Sequence, residues 1–170
     1  MWRASIARAR TLVQQLWLRT APRRWLEIEI SRDSTVETAW LGRVGEELAC
    51  RALRGHGWRI LHRNLRAPEA ELDAVCMDGA VTVVVEVKSG RRPRRGWAPG
   101  QSPSDRVRPI DVSRRLRAAR RLARRRGGGP GPFRVDLVEV EVPRGARRRP
   151  RLVHRRDLGL AAGAVTWLDA

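Results

Sequence analysis

Residues 71–88 read ELDAVCMDGAVTVVVEVK, two runs of apolar and β-branched residues on either side of Asp78-Gly79, a dipeptide that favours the tight turn of a β-hairpin. A two-residue turn at that dipeptide pairs Met77 with Ala80, which sets Asp73 opposite Val84 and Glu71 opposite Glu86. Side chains on a strand alternate between faces. Asp73, Val84, Glu86 and Lys88 therefore share one side of the hairpin, and Val83, Val85 and Val87 form a core-facing row on the other. Half-exposed strands carry such alternation for structural reasons alone. The predicted register is more demanding, because it gathers Glu71, Glu86 and Asp73, and like charges so placed destabilise a sheet unless something compensates. A divalent cation is one compensation, and splaying of the side chains into water is the other.

Upstream of the hairpin, Leu41, Val44, Leu48, Ala49, Ala52 and Leu53 fall on one face of a helix that Gly55 and Gly57 end. At about 100° per residue, Glu46 lies at the border of that face and Glu47 well out in solvent. Trp58 to Arg66 reads as a strand. Downstream, residues 90–109 are rich in Arg, Pro, Gly and Ser without an apolar period and read as a mobile loop. Asp111 or Ser113 is placed to cap a helix with the apolar stripe Val112, Leu116, Ala119 and Ala123, which Gly127 to Gly131 stop. Phe133 to Val142 alternates as a strand, and a short extended piece follows at Leu152 to His154. The order helix, three strands, helix, strand predicts an α/β domain over 41–170, a mixed β-sheet flanked by helices. Residues 1–40 read as a basic N-terminal extension. Within it Trp2, Ile6, Ala9, Val13 and Leu16 recur at helical spacing among arginines and predict an amphipathic helix.

The 170 residues are 42% apolar, enough for the core of one domain, which excludes collagen-like and wholly disordered chains. Against 18 acidic residues stand 36 basic ones, a net charge of +18. That charge is uneven: residues 91–126 carry +12, while residues 41–90, which hold the hairpin carboxylates, are neutral. A neutral site beside a strongly positive surface fits a polyanionic partner. Nucleic acid, DNA first, is the expected partner, gripped by Arg91, Arg95, Arg114, Arg115, Arg117 and Arg121; a membrane surface fits less well. Trp97 is the one aromatic residue in the basic segment, so recognition through backbone and shape is expected, not base stacking. No apolar run approaches the roughly 18 residues of a membrane span and no cleavable leader is visible, so a cytoplasmic protein is expected. Cys50, Cys76, His56, His62 and His154 show no metal-binding spacing.

Lys88 is the single lysine among the 36 basic residues. A compact ammonium differs from a guanidinium in suiting work on a reacting water or phosphate. Oxygen-only ligands select Mg²⁺ or Mn²⁺ over zinc. Such an ion on Asp73 and Glu86 would polarise a phosphodiester and acidify a water, Lys88 would orient that water or stabilise charge on the phosphate, and Glu46 would complete the site from the preceding helix.

Five pieces of the chain, in order, carry a family likeness: Gly42-Arg43-x-Gly45-Glu46-x-x-Ala49; Gly57-Trp58-x-Ile60-Leu61-x-Arg63-Asn64-x-Arg66; Glu71-Leu72-Asp73; Val84-Val85-Glu86-Val87-Lys88; and Phe133-Arg134-Val135-Asp136. In these the sequence resembles the PD-(D/E)xK nuclease superfamily, and more closely the YraN-type family of uncharacterised bacterial proteins, themselves similar to archaeal Holliday junction resolvases. The resemblance covers roughly Leu41 to Val142. It implies a restriction-endonuclease-like core and carries catalytic roles onto Glu46, Asp73, Glu86 and Lys88, with Mg²⁺ or Mn²⁺ on Asp73, Glu86 and Glu46. It also implies pairing of two copies on a two-stranded junction. Asp136 lies in the last core strand as a structural polar group. The chain departs from the family pattern at Ala70, where glycine is usual, at Ser89-Gly90 before Arg91, and at Arg114, where lysine is usual.

Three functions remain in competition on the sequence. One is a Mg²⁺-dependent nuclease acting on structured or branched DNA. Another is a non-catalytic nucleic-acid-binding module that keeps the nuclease-like fold. The third is a membrane-surface or protein-assembly role led by Trp2 to Arg19.

Overall fold

The computed structural model describes residues 13–16, 34–93, 95–125, 132–142 and 150–161. In chain order its elements are β1 (Val13–Leu16), α1 (Ser34–Gly55), β2 (Arg59–Arg66), β3 (Glu71–Asp78), β4 (Val81–Arg91), a 3₁₀ turn (Pro103–Arg106), α2 (Pro109–Arg125), β5 (Phe133–Val142), β6 (Arg151–Arg155) and the single turn α3 (Leu158–Ala161). The six strands form one sheet in the order β1-β6-β5-β4-β3-β2. Only β4 and β5 run parallel, joined by the crossover through α2, and every other pair is antiparallel.

Each face of the sheet is closed by one helix. Leu41, Val44, Leu48, Ala49 and Leu53 of α1 pack on Val83, Val85, Val87, Val138 and Val140. Val112, Ala118 and Ala119 of α2 pack on Val75, Val84, Val135 and Leu137. The α1 face is the one its apolar spacing predicts, and Cys50 and Cys76 are buried, unpaired residues within its core. The helix ends where Trp58 N–H reaches back to Leu53 O and Gly57 N–H to Arg54 O, a bonding pattern that satisfies the last carbonyls of a helix. Among the described residues no helix is long and apolar enough to cross a membrane.

The hairpin register differs from the predicted one by two residues. Asp78 pairs with Val81, Met77 with Thr82 and Ala74 with Val85, so the two loop residues are Gly79 and Ala80. Gly79, at φ 60°, takes the first loop position, where a type II′ turn requires glycine, while Asp78 stays in the strand and accepts hydrogen bonds from Arg134 and Arg156. A slip by one residue would exchange the faces, and a slip by two preserves them. Asp73, Glu86 and Lys88 thus keep their common side, but Asp73 now lies across from Glu86 and Glu71 does not.

Three further expectations are corrected. Val13–Leu16, predicted as part of a helix, is a strand on β6, because pairing along an open sheet edge outweighs a weak helical period; the rest of 2–17 lies outside the described residues. The helix α1 begins at Ser34 and so crosses the expected boundary at residue 40. The helix α2 begins at Pro109, with Arg108 O accepting the N–H groups of Asp111 and Val112. Proline suits a first helical position, so Asp111 sits inside the first turn, bonded to Arg108, and is not the cap.

The segment after β4 is packed against the sheet and is not a free loop. Trp97 lies over Gly90, whose missing side chain leaves its seat, and its indole N–H donates to Glu141 at 3.0 Å. Pro103 is buried and Arg106 donates to Ser89 O at 2.7 Å. These anchors are single residues, which carry no periodic signal.

Gly45 fixes how closely α1 approaches β4. A Cβ built there would stand 2.6 Å from both Cβ and Oγ of Ser89, and Ser89 Oγ is itself committed to Leu41 O at 2.8 Å. Gly45→Ala is expected to destabilise the chain by roughly 1–3 kcal/mol, the usual cost of overpacking, with partial recovery in Gly45→Ala/Ser89→Gly. Urea-unfolding midpoints of the three proteins check this.

Candidate active site

The ladder between β3 and β4 ends at Ala74 and Val85. One residue further along β3, Asp73 Oδ2 accepts the Val87 N–H at 2.7 Å, so a carboxylate replaces the backbone carbonyl that would have continued the pairing. On its other side β3 stays bonded to β2 through Leu65–Leu72 and Arg66–Glu71. The sheet therefore forks at Asp73. Beyond the fork β3 rolls over: Leu72 packs in the α2-side core, whereas Ala74 and Cys76, spaced from it by even numbers, pack on the α1 side. Asn64 lies across from Asp73 in the β2 register and sits at φ 49°, a left-handed conformation that asparagine tolerates better than most residues.

The other side of the fork is lined by β4 and α2. Glu86 is only 2% exposed. Its Oε1 pairs with Lys88 Nζ at 2.5 Å, and its Oε2 lies against the Arg115 guanidinium. That second contact, made by Nη2, is an ion pair without hydrogen-bonding geometry, since the buried Glu86 Oε2 lacks a hydrogen-bond partner; Arg115 Nε, also buried, lacks one as well. Arg115 Nη1 donates to Asp111 O at 3.1 Å. The Asp73 carboxyl is pushed up to about 7, by burial first and next by the charge of Glu86, with Val87 N–H and Lys88 pulling the other way and Glu46 adding to the rise. Glu46 thus acts on the site through its field from α1, where it is half-buried.

The structure brings Asp73, Glu86 and Lys88 together and leaves Glu71 exposed at the start of β3. Among the described residues no three His, Cys, Asp or Glu side chains converge as ligands of one ion, so Glu46 does not close a three-carboxylate cage with the other two. The Asp73–Glu86 pair nonetheless fits a hard divalent cation. Its donors are carboxylate oxygens, one lacks a hydrogen bond, and Mg²⁺ is ordinarily held by one or two carboxylates with water and phosphate in the remaining positions. Glu47 is not out in solvent; it bridges Arg51 at 2.8 Å and Arg63 at 2.6 Å, tying α1 to the β2 edge.

The arginines divide into two groups. Arg114, Arg117, Arg121 and Arg124 are exposed along one face of α2, at helical spacings of three, four and three. Arg121 also donates to Glu69 at 3.0 Å. Arg95 is exposed in the packed segment, and Arg91 stacks over Trp40 with its guanidinium 5.1 Å from the ring centroid. Arg115 is the exception: its side chain is 15% exposed and turned into the fork.

Sequence reasoning missed that turn of Arg115, and it missed Glu139. Glu139 is buried on β5 directly beside Lys88 and pairs with Arg155 at 3.2 Å. The alternation of valine with glutamate in β5 is the signal that places it on the α2 side. Asp136, by contrast, is structural. It lies fully buried on the α1 face, bonded to His154, Arg134 and the Asp157 N–H. These partners outweigh its burial and hold its carboxyl below the ordinary aspartate range.

A mixed sheet between helices, forked at an aspartate that faces a Glu-x-Lys strand, is a restriction-endonuclease-like core. The profile of the uncharacterised protein family UPF0102 matches residues 45–140, a span that holds Glu46, Asp73, Glu86 and Lys88. The chain belongs to this family, the YraN-type proteins. A UPF0102 protein of Renibacterium salmoninarum is 38% identical over 119 residues, covering 70% of this chain and 95% of the relative. One from Symbiobacterium thermophilum is 40% identical over 113 residues (66% and 92%), and one from Streptomyces coelicolor is 42% identical over 120 residues (69% and 87%).

Asp73 binds its proton more tightly in the folded chain, about 7 against 3.8 without the fold's influence. The folded state therefore loses stability as pH rises from about 4 through about 7. Asp73→Asn keeps an acceptor for Val87 N–H and removes the charge. In chelator-treated buffer at about pH 8 it is expected to be more stable than wild type by on the order of 1 kcal/mol or more, with the difference closing toward pH 4. Urea titrations across that range check the sign.

Proposed function

We propose that this protein is a Mg²⁺-dependent nuclease of the cytoplasm that hydrolyses phosphodiester bonds in DNA, with branched or structured duplexes as its substrate class. The observation that carries the reading is the gathering of Asp73, Glu86 and Lys88 at a fork in the sheet, beside a helix that presents a stripe of arginines. Hydrolysis of a phosphodiester needs a placed water, stabilisation of charge growing on the phosphoryl oxygens, and a substrate held in line. Asp73 and Glu86 are the residues to hold the cation, which when bound supplies Lewis-acid polarisation of the phosphate. Lys88, a point charge beside that pair, stabilises the developing negative charge or orients the attacking water. Glu46 faces the site from α1 and serves to hold a water or its proton. Arg114, Arg117, Arg121, Arg95 and Arg91 grip the backbone, so recognition is by shape and charge.

One observation favours the alternative of a non-catalytic nucleic-acid-binding module: Glu86 is already compensated by Lys88 and Arg115. Cleavage assays on a four-way junction and a linear duplex, with and without Mg²⁺, separate the two. For a nuclease, Asp73→Ala and Lys88→Ala each lower the cleavage rate by about 100-fold or more while gel-shift affinity persists. Cleavage retained in both variants overturns the assignment. Absence of cleavage, with binding whose log affinity falls by about 0.9 per neutralised phosphate against log salt, supports the binding module.

A further inference from the structure

We infer that Arg115 is a placeholder cation, seated on Glu86 until a divalent ion and a phosphate replace the pairing together, so that the site takes up metal and polyanion cooperatively. The inference rests on the reading of Asp73 and Glu86 as the ion-holding pair.

Charge balance is the first argument. Glu86 faces two cations, Lys88 at one carboxylate oxygen and Arg115 at the other, so its charge is matched before any ion arrives. A divalent ion entering alone would leave the fork strongly positive, whereas one entering with a phosphodiester would not. Geometry is the second. An arginine that belongs permanently to a carboxylate usually grips it through two parallel hydrogen bonds. Here the contact is made by Nη2 alone while Nη1 donates to Asp111 O; Glu86 Oε2 and Arg115 Nε are each buried without a hydrogen bond, and a buried ion pair with poor geometry repays little of its desolvation cost. The contact is therefore one that a better ligand displaces. Position is the third. Arg115 follows Arg114, the first residue of the exposed arginine stripe. A backbone drawn onto α2 arrives at the helix turn from which Arg115 enters the fork. Once an ion takes Glu86 Oε2, the guanidinium needs a new counter-charge, and the arriving phosphate supplies it. Coupling of this kind is reciprocal: each ligand tightens the other by one common factor.

The test is Mn²⁺ titration by calorimetry into the full chain, with and without saturating duplex DNA, for wild type, Arg115→Met, Arg115→Gln and Arg124→Met. The last removes the same charge from the exposed face of the same helix. Wild type is expected to bind Mn²⁺ about tenfold more tightly with DNA present, within the usual range of coupling between sites. Arg115→Met and Arg115→Gln are expected to bind Mn²⁺ about tenfold more tightly than wild type without DNA and to gain little when DNA is added. Far-ultraviolet circular dichroism selects folded variants, and either Arg115 variant suffices. If the Arg115 variants bind Mn²⁺ no more tightly than Arg124→Met, or keep the wild-type coupling, the placeholder role is wrong while the ion-holding pair stands. If no protein binds Mn²⁺ with or without DNA, both are wrong.

Discussion

The hydrogen bond from Val87 N–H to Asp73 Oδ2 is the interaction on which the rest of the site depends. A central strand must satisfy its amides once it parts from a neighbour, because a buried unpaired N–H costs about as much as a lost hydrogen bond. By supplying an acceptor from a side chain, Asp73 lets β3 leave β4 without orphaning Val87. The parting opens the sheet at a place where the charge of Glu46 reaches Asp73 from α1 and Arg115 reaches Glu86 from α2. The arrangement costs stability: the carboxylate is buried beside Glu86, and its displaced proton affinity records that cost. A fold that only needed to be stable would place an apolar residue there and continue the ladder.

The charges around the fork are part of a wider division of the sheet. On the α2 side, β4 and β5 begin with Val84, Val135 and Leu137 in the core and end with Glu86, Lys88, Glu139 and Glu141. Each of these buried carboxylates is met by cations or an indole: Glu139 by Arg155, and Glu141 by Arg151, Arg92 and Trp97. The α1 side is the reverse, with valines at the ends of β4 and β5 and the Asp136–His154–Arg134 network where β5 starts. The two polar groupings therefore lie at opposite ends of the parallel pair and on opposite faces. The Asp136 carboxylate is met by hydrogen bonds at both oxygens, whereas Glu86 Oε2 and Glu139 Oε1 lack one.

The elements were legible in the sequence wherever periodicity carried them. The apolar row of α1, the alternation of β3, β4 and β5, and the stripe of α2 are long repeats that a core enforces. The common face of Asp73, Glu86 and Lys88 was legible too, because strand parity survives an even slip; the register itself was not, since Asp78-Gly79 and Gly79-Ala80 are both feasible turns and the choice rests on Asp78's bonds to two distant arginines. The fork could not be read at all. It depends on one side chain taking a backbone amide fourteen residues away, an event with no local signature. The inward turn of Arg115 was hidden for a related reason: in a helix crowded with arginines, only the position of β4 beneath it distinguishes one from its neighbours.

Lys88 is the single lysine of the chain, and Lys88–Ser89 lies in the part of β4 that pairs with β5 through Glu139 and Val140 and has already left β3. For an endoprotease that cuts only after lysine, the chain therefore offers one scissile bond, placed where β4 keeps β5 as its strand neighbour and Ser89 is tied to Leu41 and Arg106. Its rate of cutting reports how often β4 parts from β5 beside the fork.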